Sequence, residues 1–73
     1  MIFHSSNGAI VRVDWIQFIG NVRPESLGHL GNTGNWYFPI YFQRGEQINL
    51  TYETEREARE DKIALANDLA QIE

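Results

Sequence analysis

The C-terminal stretch "TEREAREDKIALANDLAQIE" is the clearest structural element in this sequence. Thr54 stands three residues before Glu57, which is the pattern of a capping box, and Glu55 places a negative charge in the first turn, where the helix dipole favours it. An apolar stripe at helical spacing contains Ala58, Lys62, Leu65, Leu69 and Ile72, with Lys62 contributing its aliphatic stem. We therefore expect one amphipathic helix over about 55–72.

The N-terminal segment "MIFHSSNGAIVRV" predicts a β-hairpin. Asn7 and Gly8 lie between two apolar runs, and both residues tolerate the positive φ of a type I′ turn. We expect strands over about 1–5 and 9–13.

A change in apolar parity predicts a break after the second strand. Apolar residues occupy the odd-numbered positions up to Trp15 and the even-numbered positions of Ile16 and Phe18 after it. Within one regular strand, the side chains of one face keep a period of two. We therefore place a tight turn or bulge near Asp14 and Trp15, and a third strand over about 17–22.

A second hairpin is predicted after residue 35. The segment "NWYFPIYFQ" is apolar on both faces of a strand, and "QINLTY" returns after a short turn. One face carries Trp36, Phe38, Ile40 and Phe42, and the other carries Tyr37, Pro39 and Tyr41. Because proline cannot donate a ladder hydrogen bond, we expect Pro39 on an edge, at a bulge or with its nitrogen toward solvent.

These elements together predict one α+β domain over residues 1–73. We expect an antiparallel sheet of four to five strands with the C-terminal helix packed on one face. The side chains expected in the core are Val11, Val13, Ile16, Phe38, Ile40, Ile48, Leu50, Leu65 and Leu69, together with Phe3, Phe18 and Phe42.

The stretch "RPESLGHLGNTGNW" predicts a long glycine-rich loop over about 23–35. Its backbone N–H groups are suited to cradle an anion, with a basic side chain close by. The candidate ligand residues of this loop are Arg23, His29, Gly31, Asn32 and Thr33. The alternative is a plain connection between two strands.

The chemistry-bearing residues do not form a catalytic pattern. There is no cysteine, and the two histidines, His4 and His29, have no partner at metal-ligand spacing. Ser5 and Ser6 are close to His4 in sequence, but neighbouring residues on a strand point to opposite faces. We therefore expect no enzymatic activity, no cofactor and no metal site.

Charge and hydropathy limit the partners. The net charge is −4, and the whole excess falls in residues 53–73, which argues against a surface that follows nucleic-acid phosphates. No apolar run approaches the roughly 18 residues that a membrane span needs, and the N-terminus lacks the features of a signal peptide. We expect a cytoplasmic protein that binds neither membranes nor nucleic acid directly.

Aromatic residues are the strongest indication of function. Nine of them exceed what one face of a small sheet holds, so we expect Trp15, Tyr37 and Tyr41 to be exposed or to anchor a partner. A chain of this size has a small core, and without cysteine it has no disulfide to stabilise the fold, so association with a second copy would supply the missing stability. We therefore expect a homo-dimer or a higher homo-oligomer.

The order of a few antiparallel strands before one terminal helix resembles, loosely, small uncharacterised proteins of phages, prophages and bacteria. The segment "YFPIYFQRGEQINLTYETEREARE" is also similar to the end of a pleckstrin-homology-like module. The resemblance covers about half of the chain. It implies an accessory, often inhibitory, binding role.

Two functions follow as hypotheses. The first is a protein-binding module or accessory inhibitor, in which Trp15, Tyr37 and Tyr41 contact a protein partner. The second is an oligomer that sequesters a small nucleotide-like ligand, with aromatic faces stacking a base while Arg23, His29 and the loop amides hold a phosphate.

Overall fold

The computed structural model describes residues 2–26 and 31–71, which have the α+β fold that the sequence predicts. The elements, in chain order, are β1 (Ile2–His4), β2 (Ile10–Arg12), a 3₁₀ turn (Val13–Trp15), β3 (Ile16–Ile19), β4 (Arg23–Ser26), β5 (Asn32–Phe42), β6 (Gln47–Tyr52) and α1 (Glu55–Ala70). The strands pair antiparallel and are divided between a two-stranded sheet, β1–β2, and a four-stranded sheet. The 3₁₀ turn is the predicted break between the second and third strands.

The N-terminal hairpin forms where it is predicted, but with a different turn. The Ser5 N–H donates to the Ala9 carbonyl at 2.8 Å, which leaves three residues in the loop. Of these only Gly8 has a positive φ, +94°, whereas a type I′ turn needs two such residues. Asn7 contributes through its side chain instead, because its Oδ1 accepts from the Ala9 N–H at 3.1 Å.

β5 is the central strand of the four-stranded sheet. β6 runs along one side of it, while β3 and β4 share the other side. Pro39 lies at the point where pairing passes from β3 to β4. Its carbonyl accepts from the Gly20 N–H at 2.8 Å, so its nitrogen, which has no hydrogen, faces the gap between these two strands. A Cβ on Gly20 would overlap the Pro39 ring, so glycine permits this close approach. Pro39 is therefore buried in a central strand, not on an edge.

The predicted long loop over 23–35 is corrected by the structure. Both ends of this segment are strand, because β4 pairs with the first part of β5. Residues 33–35 of β5 oppose Glu25 alone, which makes a bulge, and Gly34 supplies a φ of +89° there. Gly34 thus marks a bulge within a strand rather than part of an extended loop. Residues 27–30 lie outside the described residues.

Helix α1 covers one face of the four-stranded sheet, as predicted. The Thr54 side chain accepts from the Glu57 N–H at 3.2 Å and caps the helix. The buried hydrophobic side chains are Phe3, Val11, Val13, Ile16, Phe38, Ile40, Leu50, Tyr52, Ala58 and Leu65. Leu69 is half-buried against this core, and Ile72 lies outside the described residues.

Two side chains that we expect in the core lie outside it. Phe18 is 50% exposed and stacks on Tyr41, with 4.3 Å between ring centroids, on the sheet face away from the helix. The β3–β5 register shifts between Ile16 and Phe18. From this bulge onward, the even-numbered side chains of β3 point to the opposite face of the sheet. Ile48 is 39% exposed because it lies at an open groove.

Candidate functional site

A groove of about 440 Å³ lies between β2 and the turn that joins β5 to β6. This volume is within the range of about 300–1,000 Å³ that is typical of ligand sites. Its lining residues are Ile10, Val11, Arg12, Trp15, Phe42, Gln43, Arg44, Glu46 and Ile48. The groove thus combines an apolar lining with charged side chains.

The groove exists because the N-terminal hairpin is attached to the rest of the fold at its turn. The Asn7 Nδ2 donates to the Thr51 carbonyl near the end of β6, at 2.7 Å. Further along, residues 10–12 of β2 and residues 46–48 line the groove, and the two strands belong to different sheets. The hairpin is therefore bonded to β6 at its turn, and the groove lies further along between β2 and β6.

Trp15 is the central aromatic residue of the groove and is 48% exposed. The Arg12 guanidinium carbon lies 4.4 Å from the centroid of its ring, and that of Arg44 lies 5.7 Å away. Both distances are within the range of cation–π attraction. Arg12 also approaches the Asp14 carboxylate at 3.8 Å. The pKa of Asp14 lies below its usual value, mainly through a backbone hydrogen bond and to a smaller extent through Arg12, so this carboxylate stays charged.

The structure does not bring the three predicted partner-binding residues together. Trp15 lines the groove with Phe42, whose side chain is on the helix-covered side of β5. Tyr37 and Tyr41 occupy the alternate positions of β5 and therefore point to the opposite face. Both tyrosines are half-buried, and Tyr41 is stacked on Phe18.

Trp15 is the one residue of the described lining that the sequence predicts as a site residue, and those that it misses include Ile10, Ile48, Arg12 and Arg44. One signal was available, because Ile10 and Arg12 flank the buried Val11 and must point away from the core. Ile10 is 65% exposed. The meeting of β2 with residues 46–48 is a long-range contact that no local pattern predicts.

The predicted ligand residues of 23–35 are also separated. Arg23 pairs with Tyr37, whereas Gly31, with a φ of +86°, precedes β5. Asn32 pairs with Ser26. His29 lies outside the described residues.

A carboxylate occupies the part of this segment where the anion cradle is predicted. The Thr33 hydroxyl donates to Glu25 Oε1 at 2.8 Å, and the Asn35 N–H donates to the Thr33 Oγ1 at 3.2 Å. These two donors are therefore already satisfied, and the negative charge of Glu25 repels a phosphate.

A second polar cluster joins the hairpin turn to β6 and the helix. Asp61 Oδ2 accepts from the Ser6 N–H and from the Tyr52 hydroxyl, each at 2.8 Å, and the Ser5 hydroxyl lies within 2.9 Å of both Tyr52 and Asp61. His4 neighbours Ser5 but lies on the exposed face of β1, away from the buried Ser5. The hydrogen bonds of the cluster hold the hairpin turn, β6 and the helix together.

Burial and hydrogen bonding set the ionisation of this cluster. Burial opposes ionisation of Asp61, but the hydrogen bonds from Ser6, Tyr52 and Ser5 outweigh it and hold the pKa of the carboxyl below its usual value. Burial raises the pKa of the Tyr52 hydroxyl, which remains protonated as a donor. Asp61 is therefore a charged acceptor at neutral pH.

Within residues 2–26 and 31–71, no group of three or more histidine, cysteine or acidic side chains is arranged to hold a metal ion. No helix in this part of the chain is long and apolar enough to cross a membrane. The chain matches no family model, no curated protein and no solved structure.

Proposed function

We propose that this chain is a non-enzymatic protein-binding module, and that its partner site is the groove around Trp15. The observation that carries the proposal is the half-exposed Trp15, with two guanidinium groups near its ring, in a groove that also has apolar lining residues. Tryptophan and arginine are the side chains that most often dominate the binding energy of protein interfaces. An accessory or inhibitory role and a cytoplasmic location are part of the proposal.

The groove is suited to receive apolar side chains from a partner. Ile10 and Ile48 expose apolar surface in the groove, and Phe42 is also part of its lining. Burying each such side chain in a complex contributes roughly 1.5–3 kcal/mol before the costs of association. Arg44 adds a cation at the rim, beside Trp15.

The second candidate, a nucleotide-binding oligomer, is supported by one pair of residues that lie opposite each other on neighbouring strands. Arg23 pairs with Tyr37, so a cation and an aromatic ring are adjacent on the uncovered sheet face. Trp15 is not part of this site, because Tyr37 is roughly 17 Å along the strand from Phe42, which lines the groove. Glu25 on the same strand as Arg23 disfavours a phosphate, so we favour the protein-binding function.

Selection from a random peptide display library tests the proposal. We expect the immobilised protein to enrich peptides whose binding is lost in Trp15→Ala. Ile63→Ala is the matched control, because Ile63 is 61% exposed on the helix and lies outside the groove. Peptides that bind both variants equally, or no enrichment at all, would contradict the proposal.

A calorimetric titration tests the second candidate independently. A panel of nucleoside mono- and diphosphates is titrated into the wild-type protein and into Arg23→Ala. Heat of binding that disappears in Arg23→Ala and persists in Trp15→Ala would favour nucleotide binding over protein binding.

A further inference from the structure

The outer edge of β6 is unpaired in the described part of the chain, and it lies next to Glu46 and Ile48, which line the groove. The Phe42 N–H donates to the Glu46 carbonyl at 2.8 Å, so Glu46, Ile48 and Leu50 direct their backbone groups toward β5. The alternate residues Gln47 and Asn49 direct theirs away from β5. β6 pairs with no other strand among the described residues, so these N–H and C=O groups are available to an added strand.

The edge of β2 has the same property on the other side of the groove. The Ser5 N–H donates to the Ala9 carbonyl, so these two residues form a hydrogen-bonded pair of the ladder. Phe3 and Val11, two residues further along each strand, form the next such pair. Ile10 therefore points its backbone N–H and C=O away from β1. β2 pairs only with β1 in the described sheets. Two unpaired strand edges thus flank one apolar groove.

We propose that the groove binds an extended peptide segment of a partner protein by strand addition at the β6 edge. This inference rests on the proposed function and specifies its mode. The main chain of the segment pairs with Gln47 and Asn49, and alternate side chains enter the groove beside Trp15 and Ile48. The occupant is a peptide that carries apolar residues next to acidic ones.

The charge of the groove is the reason for an acidic peptide. Arg12 and Arg44 lie on the Trp15 ring, and Glu46 is the one acidic side chain in the described lining. Arg44 has no ion-pair partner within 4.0 Å among the described residues, so its charge is free to meet a carboxylate. Arg12 already faces the Asp14 carboxylate at 3.8 Å, so Arg44 is the groove cation that favours an acidic residue of the segment over a basic one.

Backbone methylation of a peptide recovered by display tests the strand pairing. The peptide is resynthesised with each amide N-methylated in turn, and its affinity is measured by fluorescence anisotropy. We expect methylation at alternate positions to weaken binding about tenfold or more, because each removes one main-chain hydrogen bond. Gln47→Pro should have the same effect, since its N–H points away from β5 and proline is tolerated as the first residue of a strand.

Charge reversal tests the acidic preference. Arg44→Glu should weaken the recovered peptide about tenfold, the loss expected when a charged hydrogen-bond partner is removed. Arg56→Glu is the matched control, because its side chain is 89% exposed on the helix and outside the groove. Equal affinity in the two variants would overturn the acidic preference.

The outcomes separate this inference from the function on which it rests. A peptide that requires Trp15 but tolerates methylation at every position and Gln47→Pro overturns strand addition and leaves the groove as the partner site. A peptide that does not require Trp15 overturns both.

Discussion

Asp61 is the carboxylate of the polar cluster between the hairpin turn, β6 and α1. It accepts hydrogen bonds from Ser6 in the hairpin turn and from Tyr52 in β6, and it belongs to α1. It therefore joins the two-stranded sheet, the four-stranded sheet and the helix at one point. Since Asn7 is attached to Thr51 beside it, this point fixes the closed end of the groove. The proposed partner site is therefore positioned in part by a residue that does not line it.

We predict that Asp61→Asn lowers the free energy of unfolding by roughly 1–3 kcal/mol at neutral pH, because a charged acceptor is replaced by a neutral one. The folded-state pKa of Asp61 lies below its unfolded value, so its stabilisation is complete above the unfolded pKa and is lost as the pH falls through the folded pKa. The difference between the wild type and Asp61→Asn should therefore shrink with acidification.

Urea unfolding at a series of pH values measures this difference. Glu53→Gln is the control, since Glu53 is an exposed carboxylate near the same cluster. A constant difference between wild type and Asp61→Asn across the acid range would show that the charge of Asp61 is not responsible.

At the scale of elements, the helix and the strands differ in how far local sequence determines them. Helix α1 begins after the predicted cap at Thr54, and its stripe buries Ala58 and Leu65. The strands depart from a period of two at two bulges, after Ile16 and at residues 33–35. The bulge after Ile16 places Phe18 on the sheet face away from the helix. Trp15 belongs instead to the 3₁₀ turn that precedes β3.

We predict that Leu65→Ala lowers the free energy of unfolding by roughly 2–5 kcal/mol, because Leu65 is fully buried between α1 and the sheet. Leu69→Ala should cost less, since Leu69 is half-buried. Ile63→Ala, on the exposed side of the same helix, should change stability by at most about 0.5 kcal/mol. Chemical denaturation compares the three variants, and equal midpoints for Leu65→Ala and Ile63→Ala would contradict the docking of the helix.

At the scale of the whole molecule, two exposed apolar surfaces remain among the described residues. One is the groove, and the other is the sheet face opposite the helix, with Phe18 stacked on Tyr41 and with Tyr37 further along β5. Phe18 is exposed on this second face, and Tyr37 and Tyr41 are half-buried. A core of this size supplies only about 3–5 kcal/mol, so self-association through the second face would reinforce it.

We predict that the protein forms a homo-dimer through the Phe18–Tyr41 face. Light scattering behind a sizing column should give a dimer mass for the wild type and a monomer mass for Phe18→Ser, because the serine removes the exposed ring. Trp15→Ala should remain dimeric, since the groove lies on the other side of β5. A monomer mass for the wild type would contradict the dimer, and a dimeric Phe18→Ser would exclude this face.

The sequence by itself determined the features that depend on neighbours along the chain. These are the capped helix, the hairpin at Asn7–Gly8, the break near Trp15 and most of the core, since caps, turns and periodicity act over a few residues. It did not determine that Gly34 marks a bulge, because a glycine-rich segment is compatible with both a loop and a bulged strand. Only the tertiary structure decided that Trp15 and Tyr41 lie on different surfaces and that Arg12 and Arg44 meet at one ring. Those relations depend on strand register and on the packing of one hairpin beside another, which are long-range contacts between segments distant in sequence.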